Sequence, residues 1–480
     1  MATRLAGVTL LADGDEASPG PVDIIVDNGL IAAIEPSSAA ARPRLLAMPA
    51  LVNAHDHARP LSPTSFGGAG KPLETWLLRL AAMPAIDPYL GALAAFGRAA
   101  RAGAASVMAH YVRPHGPAPL IEEARQVARA AADVGVRVTF ALFMRDRNPL
   151  VYGPSESALD SMPAEARHIV EAQFLAPMPE PSEQVARVEA IAQAVESPTF
   201  SVQFGPNGVQ WCSDGLLRAI AAASARTGRR VQMHLLETVY QRAFADAAYP
   251  QGVVRYLDEI GLLSERLTLA HCVYARPEEL DLIARSGAVI ATNPSSNLHL
   301  RSGIAPIGEA IRRGCRVALG VDASALDEDD DVLREMRLGD FLHGGWGFDS
   351  VIERAPWLSA IVANGRFANG APGAGALKVG EPADILVLDL DRLDRDAIMP
   401  VAPVDLVFAR ATTAHVDRLI VAGREIARDG RLTGVDLDAT HAALRDNYRR
   451  EMPPRAPFLS AWNSLESGVA QFYRGRIGCC

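Results

Sequence analysis

Apolar residues along the middle of the chain are bunched into short runs, at residues 51–55, 105–110, 137–143, 199–204, 230–234, 267–271, 288–292 and 316–321. Runs of this length bounded by polar or turn residues read as strands. Between most of them lie Ala/Leu/Glu/Arg-rich stretches, such as 120–134 and 277–285, whose apolar positions recur at helical spacing. Strands alternating with helices in this way predict an α/β fold, a (β/α)8 TIM-like barrel. A doubly wound sheet is the alternative, but no glycine-rich phosphate loop follows the first strand.

The two ends of the chain carry a different pattern. Val22-Asp23-Ile24-Ile25-Val26 runs into Asp27-Asn28-Gly29, a hairpin signal, and Leu30 to Ile34 continues beyond it. Similar short strands return at 383–389 and 416–426, after the turn Gly380-Glu381-Pro382. The ends are therefore expected to form one small β-sandwich, residues 1–48 with 373–436, around a barrel at 49–372. Residues 437–480, helical over 442–448, are expected to be a C-terminal appendage.

Composition narrows the setting. Of 480 residues, 49% are hydrophobic and 21% charged, the balance of a globular protein. A net charge of −9 at this length argues against a nucleic-acid partner. No apolar run is long enough for a membrane helix, and the start lacks a leader-like hydrophobic region. The cysteines Cys212, Cys272, Cys315, Cys479 and Cys480 are odd in number and scattered, so neither a disulfide framework nor a thiolate metal site is expected, and the reducing cytoplasm is.

In a barrel, chemistry gathers at the C-terminal strand ends. Here those ends are punctuated by His55 and His57, then His234, His271 and Asp322. Residues i and i+2 of a strand share a face, so His55 and His57 can share one ion. Imidazoles with a carboxylate suit a borderline divalent cation, zinc or iron(II). Singly, each residue has a duller explanation: a buried histidine bonded to backbone, or a helix cap at Asp322. Jointly, in order and all at strand ends, the site reading prevails.

At these residues the chain resembles the amidohydrolase superfamily, in the branch containing cytosine, guanine, adenosylhomocysteine and triazine aminohydrolases. His234-Leu235-Leu236-Glu237 is similar to that branch's HxxE signature, and Asn293-Pro294-Ser295-Ser296-Asn297 to its (C/N)PxSN signature. The resemblance implies one divalent ion, zinc first and iron(II) second, held by His55, His57, His234 and Asp322. It implies that His271 stands beside the reacting oxygen, that Glu237 shuttles protons, and that Asp322 also holds the water's proton. No lysine stands at the end of the fourth strand, which favours one metal over two.

The implied reaction is hydrolytic deamination of an amino- or imino-substituted heterocycle, a small-molecule substrate. Hydrolysis of an amide, carbamate, urea or aryl-halide bond at the same site is the alternative. A non-catalytic barrel is a third reading, which the retained ligand residues disfavour. By family analogy a homo-oligomer is compatible with the sequence.

Some positions depart from the better-known members. Guanine-type enzymes carry Gln three residues after the second histidine, where this chain has Pro60. Adenosylhomocysteine-type enzymes show P-H-A-x-Y after the fourth strand, where this chain has Pro206-Asn207-Gly208-Val209-Gln210-Trp211. Arg59, Arg145, Trp211 and Asn297 are expected to contact substrate, the arginines by forked hydrogen bonds and the indole by stacking. Tyr111, Arg113, His115 and Arg147 form the wider pool of such residues, while the acidic run 327–331 is expected to be a solvated helix start.

Overall fold

The computed structural model describes residues 3–38, 44–323 and 326–475; Cys479, Cys480, Ser324 and Ala325 lie outside the described residues. The central sheet has eight strands: β5 (Leu51–Asp56), β6 (Ala104–Tyr111), β7 (Arg137–Met144), β8 (Phe200–Pro206), β9 (Val231–Leu235), β10 (Leu267–His271), β11 (Val289–Thr292) and β12 (Arg316–Leu319). They follow one another in chain order and all pair in parallel. Helices cover the outside and side chains fill the inside, which is why β6 is buried at every position. The barrel predicted from the apolar runs is the observed fold.

The sheet closes where β12 meets β5. The Asp322 N–H donates to the His55 carbonyl at 2.9 Å, and the Val321 N–H to Asn53 Oδ1 at 3.1 Å. The seam needs a residue without a side chain at position 320. A Cβ on Gly320 would lie 2.6 Å from the His55 carbonyl oxygen and 2.5 Å from Asn293 Oδ1.

The chain ends build the second sheet, from β1 (Thr3–Leu10), β2 (Val22–Asp27), β3 (Leu30–Pro36) and β4 (Leu45–Pro49) at one end. A small hairpin, β13 (Gly345–Trp346) with β14 (Asp349–Ser350), precedes the other end's β15 (Ile385–Asp389), β16 (Val416–Val421), β17 (Arg424–Arg428) and β18 (Arg431–Leu432). The order β18-β17-β16-β15-β4-β1-β2-β3 is continuous. β1 breaks its register between Leu5 and Val8, around Gly7 at φ 65°, pairing antiparallel with β2 and parallel with β4. That bulge lets the sheet turn on itself, so that Ile24, Val26 and Ile31 share a core with Ile385, Val387 and Ile420.

Asp384 joins this sheet to the barrel. It lies within 3.2 Å of Arg137 Nε and 2.8 Å of Arg366 Nη2, and accepts the Ala422 N–H at 2.7 Å. Burial alone would raise its carboxyl, but the two guanidinium groups hold it below the ordinary 3.8. Its contribution is therefore complete above the unfolded value and is lost as pH falls through the lower folded one. Asp384→Ala would strand two buried cations and is expected to cost about 3–5 kcal/mol, read by denaturant unfolding.

The C-terminal stretch forms the helices Leu437–Glu451 and Ala456–Arg474. The second buries Phe458, Trp462, Leu465 and Val469 and delivers Tyr473 to the barrel mouth. The acidic run is less solvated than its composition predicts. Asp331 caps the helix Val332–His343, and Asp330 pairs with Arg98 at 3.0 Å. Among the described residues, no helix is long and apolar enough to cross a membrane.

Candidate metal centre and active site

Each residue of the proposed centre stands at or just past the C-terminal end of a barrel strand. His55 is in β5 and His57 just beyond it; His234 is in β9, His271 ends β10, and Asp322 follows β12. All are buried. His271 and Asp322 lie in the left-handed region at φ 76° and 56°, which costs an L-residue about 1–2 kcal/mol each. The turns are held by the Cys272 N–H donating to the Leu235 carbonyl at 3.0 Å and by the seam bond of Asp322. Backbone strain maintained in this way is characteristic of functional sites.

Hydrogen bonds at Nδ1 orient the rings. His57 Nδ1 donates to the His110 carbonyl at 2.8 Å and His234 Nδ1 to the Asn207 carbonyl at 2.9 Å. His55 Nδ1 lies 3.1 Å from Gln232 Oε1, and His271 Nδ1 lies 2.8 Å from Asn297 Oδ1. With the proton on Nδ1, each ring turns the Nε2 lone pair inward. His57 Nε2 then faces His234 Nε2 at 3.4 Å and Asp322 Oδ1 at 3.0 Å, while His55 Nε2 and His271 Nε2 have no hydrogen-bond partner among the described residues. Acceptors this close need a positive charge between them. Two overlapping groups, His55 with His234 and His271, and His55 with His57 and Asp322, place their ligand atoms within 4.8 Å of one another. The donor set fits a divalent cation.

Electrostatics agree. Burial holds His55 and His234 well below the usual imidazole range, and His271 below it. Burial would raise Asp322, but His57, then His55 and His271, keep its carboxyl well below the ordinary value. Neutral imidazoles at His55, His234 and His271 and an ionised carboxylate at Asp322 are the forms that bind metal.

A cavity of about 290 Å³ opens over this centre. Glu237 lines it, 2% exposed, with Oε2 at 3.7 Å from His271 Nε2. Burial, then the charges of Asp322 and Glu74, raise its carboxyl well above the ordinary glutamate value. Gln241 accepts the Glu237 N–H at 2.9 Å, and Ser302 Oγ stands 3.5 Å from Oε1.

Of the residues expected to contact substrate, Arg145 and Trp211 line the cavity, as does Arg113. Two placements depart from the expectation. Asn297 is committed to His271 Nδ1, and Arg59 lines a separate cleft beside Asp56 and Arg98, with its guanidinium 5.7 Å from the Trp76 ring centroid.

Other residues were not singled out from sequence. Gln232 accepts from His55 and, at 3.3 Å, from His110; standing two residues before His234 on the same strand, it was legible by alternation. Glu74, Tyr152 and Tyr473 line the cavity, but carried no signal apart from ordinary helix or loop patterning.

The sequence profile of the amidohydrolase family matches residues 46–426. The chain is 28% identical over 458 residues to a 5-methylthioadenosine/S-adenosylhomocysteine deaminase of Syntrophobacter fumaroxidans, covering 91% of this chain and 95% of that one. It is 28% identical over 425 residues to a 5'-deoxyadenosine deaminase of Methanothermobacter thermautotrophicus, covering 86% of each. Among solved structures, an adenosine deaminase from Xanthomonas campestris with bound zinc superposes with a TM-score of 0.77 at 23% identity, over 94% of this chain and 98% of that one. A triazine hydrolase from Arthrobacter aurescens superposes at 0.75 with 19% identity, over 93% and 99%. The likeness to these two structures is one of fold.

Proposed function

The chain belongs to the amidohydrolase family, and from that premise we propose that it is a metal-dependent hydrolase that deaminates an amino-substituted heterocycle, with Glu237 as its proton shuttle. The observation that carries this reading is the buried Glu237 on the cavity wall beside inward-turned imidazoles, its carboxyl raised well above the ordinary glutamate value by burial. An amine leaves carbon only once it is protonated, so the reaction needs an acid that keeps its proton near neutral pH until substrate arrives.

His55, His57, His234 and Asp322 would hold the ion, and zinc suits a set of imidazoles with one carboxylate. Once bound, the ion would supply Lewis acidity and a water acidified towards a pKa of about 7. The protein's own groups do the rest. Asp322 takes one proton from the water. Glu237 gives its own proton to a ring nitrogen, takes the water's other proton from the added hydroxyl and passes it to the departing amine, and the proton left on Asp322 restores Glu237 as the products leave. His271, oriented by Asn297, stands against the oxygen where charge develops. Trp211 offers a face for a planar ring, and Arg145 a forked donor at the mouth.

The deaminase names of the relatives point to an adenosine-type substrate, and the cavity is of small-molecule size. The buried free thiols Cys212, Cys272 and Cys315 support a reducing compartment. The test is ammonia release by zinc-loaded protein from adenine nucleosides, aminopyrimidines, pterins and triazines, alongside assays for released amine or halide. Release of ammonia from one heterocycle class is expected. Amine or halide without ammonia would replace deamination with hydrolysis of another bond.

A further inference from the structure

One buried carboxyl on the cavity wall touches none of the reacting groups and enters the chemistry above only through its charge on Glu237. Glu74 stands in the first turn of the helix Leu73–Arg79, 5% exposed, among Leu73, Trp76 and Leu77. Its Oε1 accepts from Thr238 Oγ1 at 2.5 Å and from the Tyr152 hydroxyl at 3.3 Å. Its Oε2 is buried and has no hydrogen-bond partner among the described residues. Resting on the reading of this site as a deaminase, we propose that Glu74 is a specificity-determining residue, whose free Oε2 accepts a hydrogen bond from an amino or hydroxyl group that the substrate carries away from the bond being broken.

The argument is one of surplus. Holding Thr238 and Tyr152 requires only Oε1, and a glutamine carbonyl would serve equally well. A second, unpaired carboxyl oxygen in an apolar wall is unfavourable unless something else completes it. Burial pushes Glu74 up to about 7, so the site is one donor short of holding it as a carboxylate.

Glu74 is also tied closely to the shuttle. Thr238 directly follows Glu237, and Thr238 Oγ1 accepts the N–H of Gln241, the residue that braces Glu237. Glu74 and Glu237 both line the cavity, so one ligand can meet the two together. The group that meets Glu74 can be a second ring amine or a sugar hydroxyl, which are the same chemistry from two sources.

The experiment compares wild type with Glu74→Gln, which keeps the acceptor for Thr238 and Tyr152 but turns the free oxygen into an N–H donor. Three ligands separate the sources: adenosine, 2-aminoadenosine with an added ring amine, and 2',3'-dideoxyadenosine with its ribose hydroxyls removed. Two readouts are taken on zinc-loaded protein: ammonia release, and dissociation constants from quenching of Trp76 and Trp211 in a Glu237→Gln background. Wild type is expected to favour the donor-bearing member of one pair by about ten- to hundredfold, and Glu74→Gln to erase that preference while unfolding at the same temperature. A preference that survives Glu74→Gln, or none in wild type, overturns the proposal. Discrimination in binding without ammonia from any ligand leaves Glu74's role standing and overturns an adenosine-type substrate for the deaminase reading instead.

Discussion

Replacing Glu237 with glutamine is expected to lower kcat by about 10²–10⁴-fold, with KM and metal content little changed. Glutamine preserves the shape of the side chain and its contacts with Gln241 and Ser302. It cannot give up a proton, so what is lost is the step in which the ring nitrogen and then the amine are protonated. The same substitution has a second effect of opposite sign. Because burial raises Glu237 above the ordinary 4.5, the folded protein holds a proton that the unfolded chain releases, and stability falls as pH rises above that value. Glu237→Gln removes this liability, so the metal-free variant is expected to unfold at a temperature no lower than wild type at pH 7. Steady-state rates on the best substrate, with thermal unfolding in parallel, check both effects. A variant that keeps its kcat would exclude Glu237 as the shuttle.

Removing the metal is expected to abolish activity and to lower the unfolding temperature, both recovering on addition of zinc. Without an ion, the Nε2 atoms of His57 and His234 face each other at 3.4 Å with Asp322 Oδ1 close by. Ligand that binds only the folded state stabilises it by about 4 kcal/mol at a thousandfold excess over Kd, so the unfolding temperature should climb with free zinc. His234→Ala should weaken that climb and reduce activity to background. Metal analysis, unfolding curves and ammonia assays on chelated and reloaded protein decide it. Full activity in protein stripped of metal would exclude the ligand set.

The barrel was legible because each strand announces itself as an apolar run, and the observed strands fall within a residue or two of those runs. The junction between the two sheets is short: β4 ends at Pro49 and β5 begins at Leu51, in different sheets. The break lies at Ala50, whose N–H is taken by the Asp384 carbonyl at 3.0 Å, a partner far along the chain that no local pattern contains.

The convergence of the histidines and Asp322 was legible because strand ends in a barrel all point to one mouth. Asn297 and Arg59 were placed on the substrate because polar residues near strand ends are candidates by position, whereas their actual partners depend on tertiary packing. Glu74 shows the converse. An acidic residue in a first helical turn normally needs no explanation beyond the helix dipole, and only its burial on the cavity wall gives it another.

The closure of the barrel has a last consequence. The backbone bond that seals β12 to β5 runs between Asp322 and His55, two residues whose side chains converge on the proposed ion. The cation would rivet the first staves to the last, so a cell starved of it would lose the enzyme to unfolding and proteolysis as well as to lost turnover.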